Sequence, residues 1–154
     1  MHSEEPSSQS PDVRSFQSAV QFPAGLESIP PRRRELHTLL CKSGLAGIAY
    51  AFALAAEELM ANAVTHGCSG LPPDSTVSMT VTCDGRRVKL KVEDASSDLP
   101  CMRPGTCDEE GGRGMLLVDA IADRWGVEEP SSEGAAKAVW MELSCFPADQ
   151  AEAP

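Results

Sequence analysis

The chain has 154 residues, 42% apolar and 23% charged, proportions ordinary for one globular domain with a real core and too few residues for a second catalytic domain. A formal charge of −10 opposes contact with a nucleic-acid backbone, where affinity rests on lysines and arginines that displace counterions. No run approaches the roughly 20 apolar residues that span a bilayer, and Met1 to Pro11 is too polar for a signal peptide, so a cytoplasmic protein with no membrane segment and no direct nucleic-acid contact is expected.

Residues 1–14, with their early Ser, Glu and Pro, lack periodicity and read as a disordered segment ahead of a single domain over residues 15–147. Ser15 to Phe22 has an alternating pattern that suggests an edge strand, ended by Pro23. Pro31 to about Gly44 reads as a helix with Leu36, Leu39 and Leu40 inward and a glycine stop. Its basic start, Arg32-Arg33-Arg34, sits poorly against the helix dipole. A solvated first turn with one arginine folded back onto a carboxylate is the preferred reading, and a contact with a protein partner the alternative.

A second helix is expected over about Gly47 to Thr65. Glu58, Asn62 and His66 recur every four residues along one stripe, while Phe52, Ala55, Ala56, Leu59 and Ala63 form an apolar stripe opposite. Such a helix lies on a core and turns its polar row toward a cavity or solvent. Glu57 points about 100° away from Glu58 around the axis. After Gly67, a loop containing Gly70, Pro72 and Pro73 leads to Thr76 to Cys83, a strand with Val77, Met79, Val81 and Cys83 on one face. Asp84-Gly85 turns the chain into Arg86 to Asp94.

From about 95 to 111 no periodicity survives, and the prolines, glycines and acidic Asp108-Glu109-Glu110 suggest a lid-length mobile segment. Gly111-Gly112-Arg113-Gly114 then opens a third helix, about Arg113 to Ala122, where glycines let free N–H groups approach an anion. Arg124 to Glu128 and Ala138 to Phe146 read as two strands joined through Pro130 to Gly134, and residues 148–154 as a disordered tail. Three helices and five mostly hairpin-connected strands give an α+β two-layer sandwich: a mixed, mostly antiparallel sheet with three helices on one face.

The six cysteines, at positions 41, 68, 83, 101, 107 and 145, show no Cys-x-x-Cys spacing, so a structural zinc site is poorly supported. Cys83 falls on the apolar register of its strand and reads as a buried thiol. Cys101 and Cys107 both fall in the lid segment, where a disulfide could alter closure. Whether they form a redox switch is open at this point.

A Glu/Asn helix face, a carboxylate at a strand end and an anion-receptive helix start together describe a nucleotide site. In chain order, Glu58-x-x-x-Asn62, Asp94-x-Ser96 and Gly112-Arg113-Gly114 resemble the N, G1 and G2 boxes of the GHKL ATPase superfamily, whose members include gyrase and histidine-kinase catalytic domains. Glu-Leu-x-x-Asn-Ala-x-x-His, the Gly-Arg-Gly-Met helix, Asp123-Arg124-Trp125-Gly126 and Lys137-Ala138-Val139-Trp140 narrow this. They are similar to the small anti-sigma factor serine/threonine kinases of the actinobacterial type, over roughly residues 16 to 146.

The resemblance implies the GHKL (Bergerat) ATP-binding fold and binding of ATP with Mg2+. It assigns Asp94 to the exocyclic amine of adenine, Asn62 to magnesium through its carboxamide oxygen, and Glu58 to the general base that orients or deprotonates a hydroxyl near the γ-phosphate. Ser96, Gly112, Arg113, Gly114 and Met115 complete the implied nucleotide-binding set, with Arg113 reaching the γ-phosphate. The implied function is a regulator that phosphorylates a serine or threonine of an antagonist protein and sequesters a sigma factor or similar partner, and it allows a homodimer. The alternative is a non-catalytic, nucleotide-gated protein-binding module. A histidine kinase with His37 as phosphoacceptor fits poorly, because no two-helix dimerisation hairpin precedes the domain.

Two departures stand out. Ser96 replaces a glycine of larger superfamily members, and Ala138 replaces a threonine that many relatives place near the adenine pocket, where a lost hydroxyl costs about 1 kcal/mol of affinity. His66 reads as a helix-end residue that caps carbonyls or packs on the next loop.

Overall fold

The computed structural model describes residues 13–67, 75–94, 109–131 and 134–146, with side chains for all of these except 66–67 and 109–114. Residues 1–12, Ser96, most of the expected lid (95–108), Cys68, Cys101, Cys107 and residues 147–154 lie outside the described residues. Among the described residues five strands, β1 (Phe16–Pro23), β2 (Thr76–Cys83), β3 (Arg87–Asp94), β4 (Arg124–Glu128) and β5 (Lys137–Ser144), form one sheet in the order β1-β2-β3-β5-β4. Every strand pair is antiparallel, so the mixed element of the expectation is replaced by a uniformly antiparallel ladder.

The register explains the core. Phe22, Val77, Met79, Val81, Val88, Leu90, Val92, Met141 and Leu143 stand on one sheet face in aligned rows, such as Val81 opposite Leu90 and Leu90 opposite Met141. All are buried beneath the helices α1 (Ile29–Lys42), α2 (Ala46–Asn62) and α3 (Glu109–Ile121). The opposite face carries the alternate residues of the same strands: Lys89, Lys91, Trp140 and Glu142. There Lys89 and Lys91 pair with Glu128 at 3.3 and 3.4 Å, and the Lys89 ammonium lies 5.0 Å from the centre of the Trp140 ring. A period of two therefore sorts apolar residues to the helices and charged ones to the other side.

α1 begins two residues before the expected Pro31, after a 3-10 turn (Leu26–Ser28), because Pro30 and Pro31 occupy its first positions, where a missing N–H costs nothing. It ends in a Schellman arrangement: Leu45 N–H donates to Leu40 C=O at 2.9 Å and Gly44 takes φ +86°. Leu36 and Leu40 are buried. The basic cluster is tied down as its solvated reading requires: Arg32 folds back onto Glu35 at 2.7 Å, holding that carboxyl below its usual range, and Arg33 reaches Glu57 of α2 at 3.2 Å. Val13 packs against the core and Arg14 N–H donates to Ser43 C=O at 3.2 Å.

Candidate functional site

α2 is the spine of the site. Phe52, Ala55, Ala56, Leu59 and Ala63, the apolar stripe read from spacing, are all at most 3% exposed. Glu58 and Asn62 lie half-buried on the other side, one turn apart, with Asn62 the last residue of the α-helix. The helix then widens into a π-helical turn, Ala63–Gly67. Thr65 supplies a local cause: its hydroxyl donates to the Ala61 carbonyl at 2.6 Å, competing with the regular ladder. The wider turn interrupts the regular four-residue spacing after Asn62. Single π turns inside helices are frequent at functional sites.

This turn packs against β3, and α3 packs against α2. The arrangement brings the Glu58/Asn62 end of α2 beside the strand that ends in Asp94. Because Asp94 shares the parity of Val88, Leu90 and Val92, its side chain turns to the helix-covered face, where it is 3% exposed. Its neighbour Glu93 faces the other way and accepts hydrogen bonds from Ser131 N–H at 3.0 Å and Ser131 Oγ at 2.9 Å, with Lys91 Nζ 3.5 Å away. Strand alternation thus divides two adjacent buried carboxylates between two surfaces.

Directly opposite Asp94 stands Lys137, its Nζ 3.5 Å from Asp94 Oδ1 and its side chain also buried. Sequence reasoning passed over this lysine as a site residue. It began the last strand at Ala138, one residue late, and so left Lys137 outside the sheet. The same register corrects the expectation for Ala138. That residue pairs with Glu93 and so lies on the face away from the helices, leaving Lys137 as the β5 residue beside Asp94. A missing hydroxyl at Ala138 therefore does not face the Asp94 side.

α3 starts at Glu109, four residues before the expected Arg113. Glu109 and Glu110, assigned to the lid, thus belong to its first turn. Gly112, Arg113 and Gly114 consequently lie within the first two turns. The N–H groups that lack intrahelical partners are those of the residues leading up to Gly112, so an anion approaching this end meets backbone slightly upstream of the expected glycines. Met115 is fully buried in the core cluster and secures α3 against α2.

The Asp-Arg-Trp-Gly run after α3 has a structural explanation. Asp123 Oδ2 accepts Ser144 N–H at 2.7 Å, Arg124 pairs with Glu142, and Trp125 Nε1 donates to Asp119 Oδ1 at 2.9 Å. A Cβ at Gly126 would lie 3.2 Å from the Trp140 ring. Together these contacts fasten β4 to β5 and to the end of α3. Among the described cysteines, Cys83 and Cys145 are buried with sulfurs 3.8 Å apart, whereas Cys41 is exposed.

Three comparisons with known proteins bear on the family. The family model described as "Histidine kinase-like ATPase domain" matches residues 22–143. An uncharacterized protein from Streptomyces coelicolor is 36% identical over 74 residues, which are 47% of this chain and 68% of that protein. A solved histidine kinase domain, from the blue-light activated histidine kinase of Erythrobacter litoralis EL346, aligns at 19% identity and a TM-score of 0.41, covering 66% of this chain. The aligned part spans 46% of that solved chain. With most of its length matched by the family model, the chain belongs to the histidine kinase-like ATPase domain family.

Proposed function

We propose that this domain binds ATP with magnesium and acts as an anti-sigma-type regulator, phosphorylating a serine or threonine of an antagonist protein and sequestering a sigma factor or similar partner in alternation. The observation that carries the reading is the placement of Glu58 and Asn62 on successive turns at the end of α2, beside the strand that ends in buried Asp94. Family membership supports ATP as the ligand. The donor suits magnesium, which takes few protein ligands when phosphates supply the rest, and Asn62 ends α2 with a hard carboxamide oxygen. Asn62 would hold it through the carboxamide oxygen, and when bound it would offset charge on the phosphates.

The remaining chemistry falls to the chain's own groups. Asp94 accepts from the exocyclic amine of adenine, with Ser96 beside it in the implied set, while the start of α3, with Gly112, Arg113 and Gly114, takes the phosphate end. Glu58 accepts the proton of the partner's hydroxyl as its oxygen attacks the γ-phosphorus and ADP leaves. Incubation of the protein with labelled ATP, magnesium and candidate antagonists tests this. Transfer that Glu58→Gln abolishes supports the assignment, and transfer unchanged in that variant refutes the base.

A second reading, a nucleotide-gated binding module without phosphoryl transfer, draws on the Asp94–Lys137 pair. A carboxylate already engaged by a buried ammonium suits steady nucleotide retention as well as turnover. Tight ATP binding with no transfer to any antagonist, and a protein complex that forms only with ATP, would favour it.

A further inference from the structure

Lys137 is the most buried of the three lysines on strands, its side chain 9% exposed against 33% for Lys89 and 20% for Lys91. Those two belong to the open face of the sheet, whereas Lys137 stands opposite Asp94 in the β3–β5 register and shares its helix-covered side. The backbone fixes it there: the preceding residue, Ala136, donates its N–H to the Asp94 carbonyl at 2.8 Å. A long cationic side chain ordinarily carries its ammonium to water, and a buried ion pair gains little net stability over apolar groups of the same volume. Stability alone therefore gives no reason for this placement, while a base-binding end of a nucleotide site gives one.

Beside the exocyclic amine on the edge of the adenine ring lies N1, which accepts a hydrogen bond in adenine and carries a proton in guanine. A carboxylate and an ammonium 3.5 Å apart offer an acceptor next to a donor, the complement of an amine next to N1. An ammonium has three donors and can serve Asp94 and a ring nitrogen together. Guanine in the same orientation would set its O6 against the carboxylate and its N1–H against the ammonium. Mismatches of that kind are costly where the protein groups are buried.

We infer that Lys137 is a base-reading residue: its ammonium donates to adenine N1 while Asp94 accepts from the adjacent amine, and the pair selects adenine over guanine. The inference rests on the proposed nucleotide site, in which Asp94 holds the amine, and adds to it a second contact with a separate test. It does not depend on phosphoryl transfer.

Calorimetry on the full chain in magnesium, with single atoms of the ligand changed, leaves the protein intact. 1-Deaza-ATP replaces N1 by C–H, and purine riboside triphosphate lacks the amine. The wild type is expected to hold 1-deaza-ATP roughly 10–100-fold more weakly than ATP, the range for a hydrogen bond to a charged group, and GTP at least as weakly. Lys137→Met, checked for folding by circular dichroism, should lose affinity for ATP and bind ATP and 1-deaza-ATP alike. A gap between the two ligands that survives in this variant assigns N1 to another donor and overturns the inference. 1-Deaza-ATP bound by the wild type as tightly as ATP overturns the Lys137 contact alone, and GTP bound as tightly overturns the selectivity. Purine riboside triphosphate held as tightly as ATP, or no binding of ATP, removes the Asp94 reading and this inference with it.

Discussion

Lys137 and Asp94 face each other across the β3–β5 ladder with 3.5 Å between ammonium and carboxylate, both buried at the edge of the helix-covered core. A carboxylate has about four lone-pair sites, so Asp94 can hold the lysine and still accept from a second donor, which under the proposed function is the adenine amine. Removing one partner of a buried pair strands the other charge. Lys137→Met should therefore cost about 3 kcal/mol in urea unfolding, and the double variant with Asp94→Asn should recover part of that loss. A double variant as unstable as the sum of the singles would show that the pair is not coupled.

Glu58 and Asn62 should separate in their effects. Under the proposed roles Glu58→Gln keeps size and polarity and removes the assigned proton acceptor, so ATP affinity measured by calorimetry should hold while transfer falls roughly 10²–10⁴-fold, the usual contribution of a general base. Asn62→Ala should instead weaken ATP binding in magnesium and have little effect in EDTA. Equal loss of binding in both variants would contradict the division of roles.

The buried thiols should resist reagents. Burial pushes Cys145 up to about 12, with the adjacent Cys83 sulfur reinforcing the shift. Iodoacetamide at pH 8 should modify Cys41 and spare Cys83 and Cys145 until the protein unfolds, as read by peptide mass spectrometry. A raised native value favours the protonated fold: its contribution is complete below the unfolded thiol value of roughly 8.5 and is lost as pH climbs toward the native one. Stability should therefore fall as pH rises above the unfolded thiol value, and Cys145→Ala should not show that fall.

Asp84 anchors the β2–β3 turn, its Oδ1 accepting Arg87 N–H at 2.9 Å and Arg86 N–H at 2.8 Å, while Gly85 takes φ +94°. These bonds, that from Arg87 first, hold its carboxyl below the usual range. The ionised form is thus the stabilising one. Asp84→Ala should lower stability by roughly 0.5–1 kcal/mol at pH 7, the low end for a side chain capping backbone N–H groups because the site is exposed. The difference should persist above pH ~4 and vanish as pH falls through the depressed native value. A gap independent of pH would point to turn geometry rather than charge.

Much of this architecture was legible in one dimension. Alternation in residues 76–83 and 87–94, the paired prolines before α1, the glycine after it and the apolar stripe of α2 are local signals, because helix and strand periods act on near neighbours. The order of Glu58, Asn62, Asp94 and the Gly-Arg-Gly run likewise pointed to an ATPase domain before any fold was drawn.

Other features depended on partners distant in sequence. Lys137 joined Asp94 only once β5 had a register against β3, a choice made by rows of side chains across the sheet and invisible along either strand alone. The π turn after Asn62, the early start of α3 and the contact of Cys83 with Cys145 arise in the same way, from groups meeting in space. Sequence by itself determined which stripes seek the core and pointed to the ATPase family. Tertiary packing decided which side each strand-end residue faces, since one step along a strand reverses the face and only the assembled sheet counts the steps.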